Sequence, residues 1–75
     1  MEAEDHTLIT RLVSENFRLK RLYERHMKLE SRLARFEKRR FLTVDEEVEQ
    51  KQLKQEKLRG VDRMMTILQS YRHAA

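Results

Sequence analysis

Arginine recurs once per heptad through the first half of the chain, and a row of guanidinium groups is suited to binding carboxylates or phosphates. The row comprises Arg11, Arg18, Arg25, Arg32 and Arg39. Seven-residue spacing places side chains on one stripe of an α-helix. Neighbouring residues widen the stripe into a candidate basic flank of Arg11, Arg18, Arg21, Arg25, Lys28, Arg32, Arg35 and Arg39. The pattern predicts a surface for an anionic partner.

Two interpretations of the basic flank stay open. In the first, acidic residues of the second half face it across a helical hairpin, and the charges fix orientation and partner choice. The pairs expected are Arg18 with Asp62, Arg25 with Glu56, Arg32 with Glu49, and Arg35 with Glu46 or Glu47. In the second, the flank follows nucleic-acid phosphates without reading sequence. The first interpretation is favoured because the second half of the chain has acidic residues at the positions that would lie opposite these basic residues in an antiparallel hairpin.

Residues that could catalyse a reaction or bind a metal form no recognisable set. His6, His26 and His73 lie far apart in the sequence, and cysteine is absent. The chain also has no His-Glu-x-x-His motif, phosphate-binding glycine loop or nucleophile elbow. We therefore expect no enzyme activity, no cofactor or metal, and no small-molecule substrate.

The helices that must carry these residues follow from the apolar pattern. Apolar residues recur in alternating steps of three and four, as in a coiled-coil seam. They are Leu8, Leu12, Leu19, Leu22, Leu29, Leu33 and Phe36, with Glu15 and His26 in the remaining positions. His26 either titrates near neutral pH or, as we favour, is a partly buried imidazole hydrogen-bonded to Glu56 or to a partner chain.

Thr43 and Glu46 predict the start of a second helix, because a hydroxyl followed three residues later by a carboxylate forms a capping box. Basic residues gather before this point and acidic residues after it, as helix dipoles favour. We expect an all-α, antiparallel two-helix hairpin of coiled-coil type, with a helix over about 6–38, a turn over about 39–43 and a helix over about 44–72. A single continuous rod is the alternative, since the turn lacks Gly, Asn and Pro.

Length and composition favour self-association. A chain of 75 residues without cysteine forms one unit, residues 1–75, whose own core is small. The apolar face at the open end of the hairpin is wider than two helices can hide from each other, so we expect a homo-oligomeric helical bundle. The candidate oligomer interface is Leu8, Ile9, Leu12, Val13, Phe17, Leu58, Val61, Met64, Met65, Leu68 and Tyr71. The single glycine, Gly60, falls within the second predicted helix. It either leaves room for the Tyr23 ring or for a close crossing of the two helices, or it is simply tolerated there.

Charge and hydropathy argue against a membrane protein. Residues 11–40 contain eleven Lys and Arg against four Glu, and no apolar run exceeds two residues. The first residues are acidic, unlike those of a signal peptide. We expect a cytoplasmic, non-catalytic helical interaction module that is not inserted in a membrane, self-associates and binds an unknown acidic protein. The alternative function is sequence-nonspecific nucleic-acid binding through the basic face of the first helix.

Several short groups of residues form a recognisable order along the chain. In the first half they are Leu8-Ile9, Leu12, Glu15-Asn16, Leu22, His26, Leu29-Glu30, Leu33 and Glu37, and in the second Lys57-Leu58, Asp62, Met64, Ile67 and Leu68. This order resembles the YdcH-type family of short bacterial proteins, whose function is uncharacterised. The resemblance implies a bacterial cytoplasmic helical hairpin and brings no catalytic or cofactor residue. The chain departs from the family pattern at Gly60, Val61 and Arg63, and in the composition of its turn.

Overall fold

The computed structural model of the chain describes residues 2–74 and, over that range, contains three α-helices and no β-strand. Helix α1 spans Ala3–Leu12, α2 spans Phe17–Glu37 and α3 spans Val44–Ala74. The predicted all-α class is confirmed. The helix predicted over residues 6–38 is instead two helices, so the two-helix architecture is corrected to one of three helices.

The break between α1 and α2 depends on Asn16. Its backbone is extended, with φ −126° and ψ 103°, and its side-chain oxygen accepts a hydrogen bond from the backbone N–H of Leu19. Asparagine is among the best N-cap residues because its short side chain satisfies a free N–H at the start of a helix. The N–H groups of Glu15 and Asn16 both donate to the Leu12 carbonyl and close the end of α1. The heptad pattern did not predict this corner, because the same heptad register continues before and after residues 13–16.

The capping box predicted at the start of α3 is confirmed. The backbone N–H of Glu46 donates to the Thr43 hydroxyl at 3.1 Å, and the N–H of Thr43 donates to the Glu46 carboxylate at 3.0 Å. Acidic residues fill the first turn of α3, where the helix dipole favours them. The chain therefore reverses direction over residues 38–43 without glycine or proline.

Helices α2 and α3 pack against each other in opposite directions. Near the connection Arg39 pairs with Glu46, and further along Arg25 pairs with Glu56. Between the helices lies a small apolar cluster of Leu29, Leu33 and Leu53, with Phe36 packed against it. The seam of α2 is thus buried at this end as its spacing predicts.

At the open end of the α2–α3 pair, away from residues 38–43, α1 folds back and covers the apolar face. A larger core cluster forms there from Ile9, Leu12, Leu19, Met64 and Leu68. The side chain of Asp5 accepts a hydrogen bond from Arg72 at 2.6 Å, which ties α1 to the end of α3. The rings of His6 and Tyr23 lie 5.7 Å apart, which places α1 beside α2. The apolar surplus of the sequence is therefore largely covered within one chain.

Candidate interaction surfaces

The basic flank follows one face of α2 and continues into the connection with α3. Its members there are Arg18, Arg21, Arg25, Lys28, Arg32, Arg35 and Arg39, and all seven are exposed. Six of them each precede a seam residue by one position, so the row lies about 100° around the helix from the core. A single straight helix would place Arg11 in line with this row. Arg11 is instead on α1, which folds back, so it does not continue the row.

Two of these seven basic residues are paired with acids. Arg25 donates to Glu56, with its Nε 2.9 Å from Oε1, and Arg39 pairs with Glu46. The Arg25–Glu56 pair is the one that the sequence predicted. Within the described residues, the other predicted pairs are not at ion-pair distance. Among the residues that the structure describes, five cations of the flank on α2 are therefore exposed and have no acidic group within ion-pair distance: Arg18, Arg21, Lys28, Arg32 and Arg35.

The residues predicted for the oligomer interface divide by exposure. Ile9, Leu12, Met64 and Leu68 are buried in the core cluster. Leu8, Val13, Val61, Met65 and Tyr71 are partly buried and pack against that cluster. Phe17 and Leu58 are exposed, at 71% and 62% of their surface. In this conformation, α1 thus occupies most of the face that the sequence assigned to a second copy.

Three further apolar side chains, which the sequence pattern did not lead us to predict as a site, are exposed at the connection between α2 and α3 and at the start of α3. Phe41, Val44 and Val48 expose 80%, 76% and 52% of their surface. The guanidinium of Arg40 lies over the Phe41 ring, 5.8 Å from its centre. The signal available in the sequence was the four-residue spacing of Val44 and Val48 in a segment whose other residues are mostly charged.

His26 is buried between α2 and α3, as its seam position predicts, but its partner differs from the one expected. Its Nε2 lies 3.2 Å from the carboxylate of Glu30, which also binds the ammonium of Lys57 at 3.1 Å. Glu56 pairs with Arg25 instead. The other ring nitrogen, Nδ1, is buried and has no hydrogen-bond partner among the described residues. Burial favours the neutral imidazole and lowers the pKa of His26, while the Glu30 carboxylate opposes this shift.

Two carboxylates have lowered pKa values because cations donate hydrogen bonds to them. The pKa of Glu30 is lowered chiefly by the hydrogen bond from Lys57, and that of Asp5 chiefly by the hydrogen bond from Arg72. Both pairs join different helices, Glu30–Lys57 across α2 and α3 and Asp5–Arg72 across α1 and α3. Among residues 2–73, no group of three or more His, Asp and Glu side chains is placed to hold a metal ion.

Over residues 2–74, these features describe a small all-α protein with a basic face on α2, most of whose cations have no acid at ion-pair distance, and with a largely covered apolar end. In the described part of the chain, no helix is both long enough and apolar enough to cross a membrane. Comparison of the chain with models of protein families, with curated proteins and with solved structures finds no match. The resemblance to the YdcH-type family therefore stays a prediction.

Proposed function

We propose that the protein is a non-catalytic helical interaction module that presents its basic flank to an acidic protein partner and self-associates through its open end. The observation that carries the proposal is the row of five exposed basic residues on α2, none of which has an acidic neighbour at ion-pair distance in the described part of the chain. Like charges in a row repel one another, so a partner that neutralises them gains favourable energy at several points together.

The spacing of the basic flank fits an acidic helix. From Arg18 to Arg35 the row extends about 26 Å along α2, at a rise of 1.5 Å per residue. A partner helix with carboxylates in alternating steps of three and four would meet successive basic residues. Each exposed pair contributes only about 0.2–1 kcal/mol. Affinity therefore depends on the whole row, and it weakens as salt screens the charges.

Self-association is supported by the small size of the chain and by the apolar side chains that remain exposed. Phe17 is at the corner between α1 and α2, where Asn16 contacts Tyr71, whereas Leu58 is thirteen positions before Tyr71 and lies about 20 Å from the corner along α3. Both belong to the predicted oligomer interface, and both gain by burial against a second copy, since burying such a side chain contributes about 1.5–3 kcal/mol.

The flank is tested by two variants that lose the same charge. The first replaces Arg18, Lys28 and Arg32 by Gln, and the matched control replaces Lys20, Lys51 and Lys54, which are also exposed and lie outside the flank. The probe is a synthetic acidic helical peptide with Glu in alternating steps of three and four, compared with a scrambled peptide of the same composition. We expect binding by fluorescence anisotropy to fall steeply in the flank variant only, and to be weaker for the scrambled peptide. Equal losses in the two variants would reduce the effect to bulk charge and contradict the proposal.

Sequence-nonspecific nucleic-acid binding is the second candidate, because a row of exposed cations can also bind successive phosphates of a nucleic-acid backbone. Its signature is binding to unrelated duplexes with a steep dependence on salt, which reflects release of counterions. The same two variants distinguish it, with the duplex as the probe. Failure of the chain to bind DNA or RNA at low salt would remove this candidate and leave the acidic protein partner.

A further inference from the structure

The corner between α1 and α2 interrupts a helical pattern that the sequence carries straight through it. The seam positions Leu8, Leu12, Glu15 and Leu19 keep their alternating spacing across residues 13–16. The corner contains no Gly or Pro, and no described residue has a positive φ. Val13 already has helical angles, φ −60° and ψ −28°. Residues 13–16 can therefore join α1 and α2 into one helix without a steric obstacle.

Specific contacts keep the corner bent. The Asn16 side chain caps α2 through Leu19 N–H and donates to the Tyr71 hydroxyl at 3.2 Å. Arg72 holds Asp5, and Ile9 and Leu12 lie in the core cluster with Met64 and Leu68. All of these contacts are made at the open end of the α2–α3 pair. There α1 covers the apolar surface that α2 and α3 present.

We infer that this covered face is also the surface through which two copies associate. In the associated form residues 13–16 are helical, α1 and α2 are one helix, and the bared face of Met64 and Leu68 packs against the same face of a second copy. The inference rests on the self-association part of the proposed function. A second copy is the fitting occupant because an isologous dimer places one apolar patch against an identical one.

The lengths of the helices support this open form. A continuous helix from residue 3 to residue 37 is about 52 Å long, close to the roughly 46 Å of the 31-residue α3. Because Asn16 contacts Tyr71, three positions before the end of α3, Leu12 would then lie beside that end and Leu8 about 8 Å beyond it. These residues would join a wide apolar stripe that two helices leave exposed. Because opening without a partner exposes the core cluster to water, the open form exists only as a pair. The equilibrium therefore depends on protein concentration.

Two single substitutions bias the corner in opposite directions. Asn16→Ala removes the cap and the bond to Tyr71 and supplies the best helix former, so we expect it to strengthen dimerisation by roughly tenfold or more. Phe17→Pro places proline at the first position of α2, where it is tolerated, and drives Asn16 away from helical angles, so we expect a monomer. Phe17 is largely exposed, so its replacement removes little core packing. The double variant is expected to be monomeric. Because Phe17 also belongs to the candidate oligomer interface, Phe17→Ala is the control for loss of its side chain, and it should reduce dimerisation much less than Phe17→Pro.

Sedimentation equilibrium over a wide concentration range measures the association, and circular dichroism verifies that each variant is helical. The cysteine-free chain also permits spin labels in an otherwise wild-type background, at Thr7→Cys and Met27→Cys, whose native residues line one cavity between α1 and α2. Their separation should be short in the monomer and about 30 Å in the dimer, where twenty helical residues separate them.

The outcomes separate this inference from the proposed function. A dimer that keeps the labels close, or that forms equally well with Phe17→Pro, overturns the hinge and leaves self-association standing. A chain that is monomeric at every concentration, with or without Asn16→Ala, overturns both the hinge and self-association. In that case binding of the acidic peptide by the basic flank is unaffected, because none of the flank residues replaced in its test lies in the corner.

Discussion

The side-chain amide of Asn16 donates a hydrogen bond to the hydroxyl of Tyr71 at 3.2 Å, across 55 positions of the chain. The same side chain caps α2 through its oxygen, so one residue both forms the corner and ties it to α3. We predict that Tyr71→Phe lowers the free energy of unfolding by about 0.5–1.5 kcal/mol, the net contribution of a typical hydrogen bond. Urea unfolding followed by circular dichroism, at a concentration where the chain is monomeric, measures the change.

The control for this prediction is Asn16→Ser, which keeps a capping oxygen but has no amide to reach Tyr71. In that background Tyr71→Phe should cost clearly less than in the wild type, since the partner is already absent. The same cost in both backgrounds would show that the two side chains act independently.

The lowered pKa of His26 predicts a loss of stability in mild acid. The imidazole is buried and stays neutral in the folded chain below the ordinary pKa of 6.5, whereas in the unfolded chain it takes up a proton there. Stability is therefore fully present above about pH 6.5 and falls as the pH drops below that value, until the folded-state pKa is reached. The charged groups facing the ring are Glu30 on α2 and Lys57 on α3, while Glu2 and His6 line the same cavity from the α1 side.

The variant His26→Leu separates this effect from other titrations. Leucine suits a buried seam position and does not titrate, so between about pH 5 and pH 7 its free energy of unfolding should change less with pH than that of the wild type. Glu30 acts in a lower range, because its own pKa is lowered below 4.5 and its contribution is lost only as the pH falls through that region. Equal slopes for wild type and His26→Leu above pH 5 would contradict the role of His26.

Thr43 stabilises the start of α3 through its side-chain cap. We predict that Thr43→Ala lowers the free energy of unfolding by about 0.5–2 kcal/mol. Thr66→Ala is the matched control, because Thr66 is also exposed and its hydroxyl donates to the Asp62 carbonyl within the same helix. Alanine is a better helix former than threonine, so this control should be neutral or slightly stabilising. Comparable losses at the two positions would argue against the cap.

Leu68 and Leu58 offer a comparison of one residue type in two environments of α3. Leu68 is completely buried, and Leu68→Ala should cost about 2–5 kcal/mol, a large part of the stability expected of so small a chain. Leu58 is 62% exposed, and Leu58→Ala should change the free energy of unfolding of the monomer by less than about 0.5 kcal/mol. A large loss at Leu58 that depends on concentration would instead place it in the dimer interface.

Gly60 is a position where alanine should improve the protein. Apart from its chain neighbours and the backbone of its own helix, a Cβ added there meets no atom of the described residues within 4 Å, so the structure gives no packing reason for glycine inside α3. Simple tolerance, one of the two explanations open from the sequence, is the one that fits. Gly60→Ala should therefore stabilise the chain by about 0.5–1 kcal/mol in urea unfolding, since alanine loses less backbone entropy in a helix. A destabilised variant would show that the position needs its glycine.

Local chemistry explains which features could be read from the sequence. The capping box of Thr43 and Glu46 joins residues three positions apart, and the seam of Leu19, Leu29 and Leu33 reflects the period of one helix. The Arg25–Glu56 pair was also predictable, because the position of the turn determines which residues of two antiparallel helices lie opposite each other. The remaining ion pairs depend on side-chain reach and helix crossing, and neither of these follows from heptad spacing.

The sequence by itself determined that the chain is all-helical, where α3 begins, and which face of α2 is basic, because each depends on neighbours within one or two helical turns. Only the tertiary structure decided that the first helix ends at Leu12 and that α1 covers the open end. Asn16 is compatible with a cap or with a continuing helix, and the cap is selected by the burial of Ile9 and Leu12 against Met64 and Leu68, more than fifty positions away. Long-range apolar packing therefore decides between two backbone conformations that are both acceptable locally. The spacing of residues along the chain carries no information about that packing.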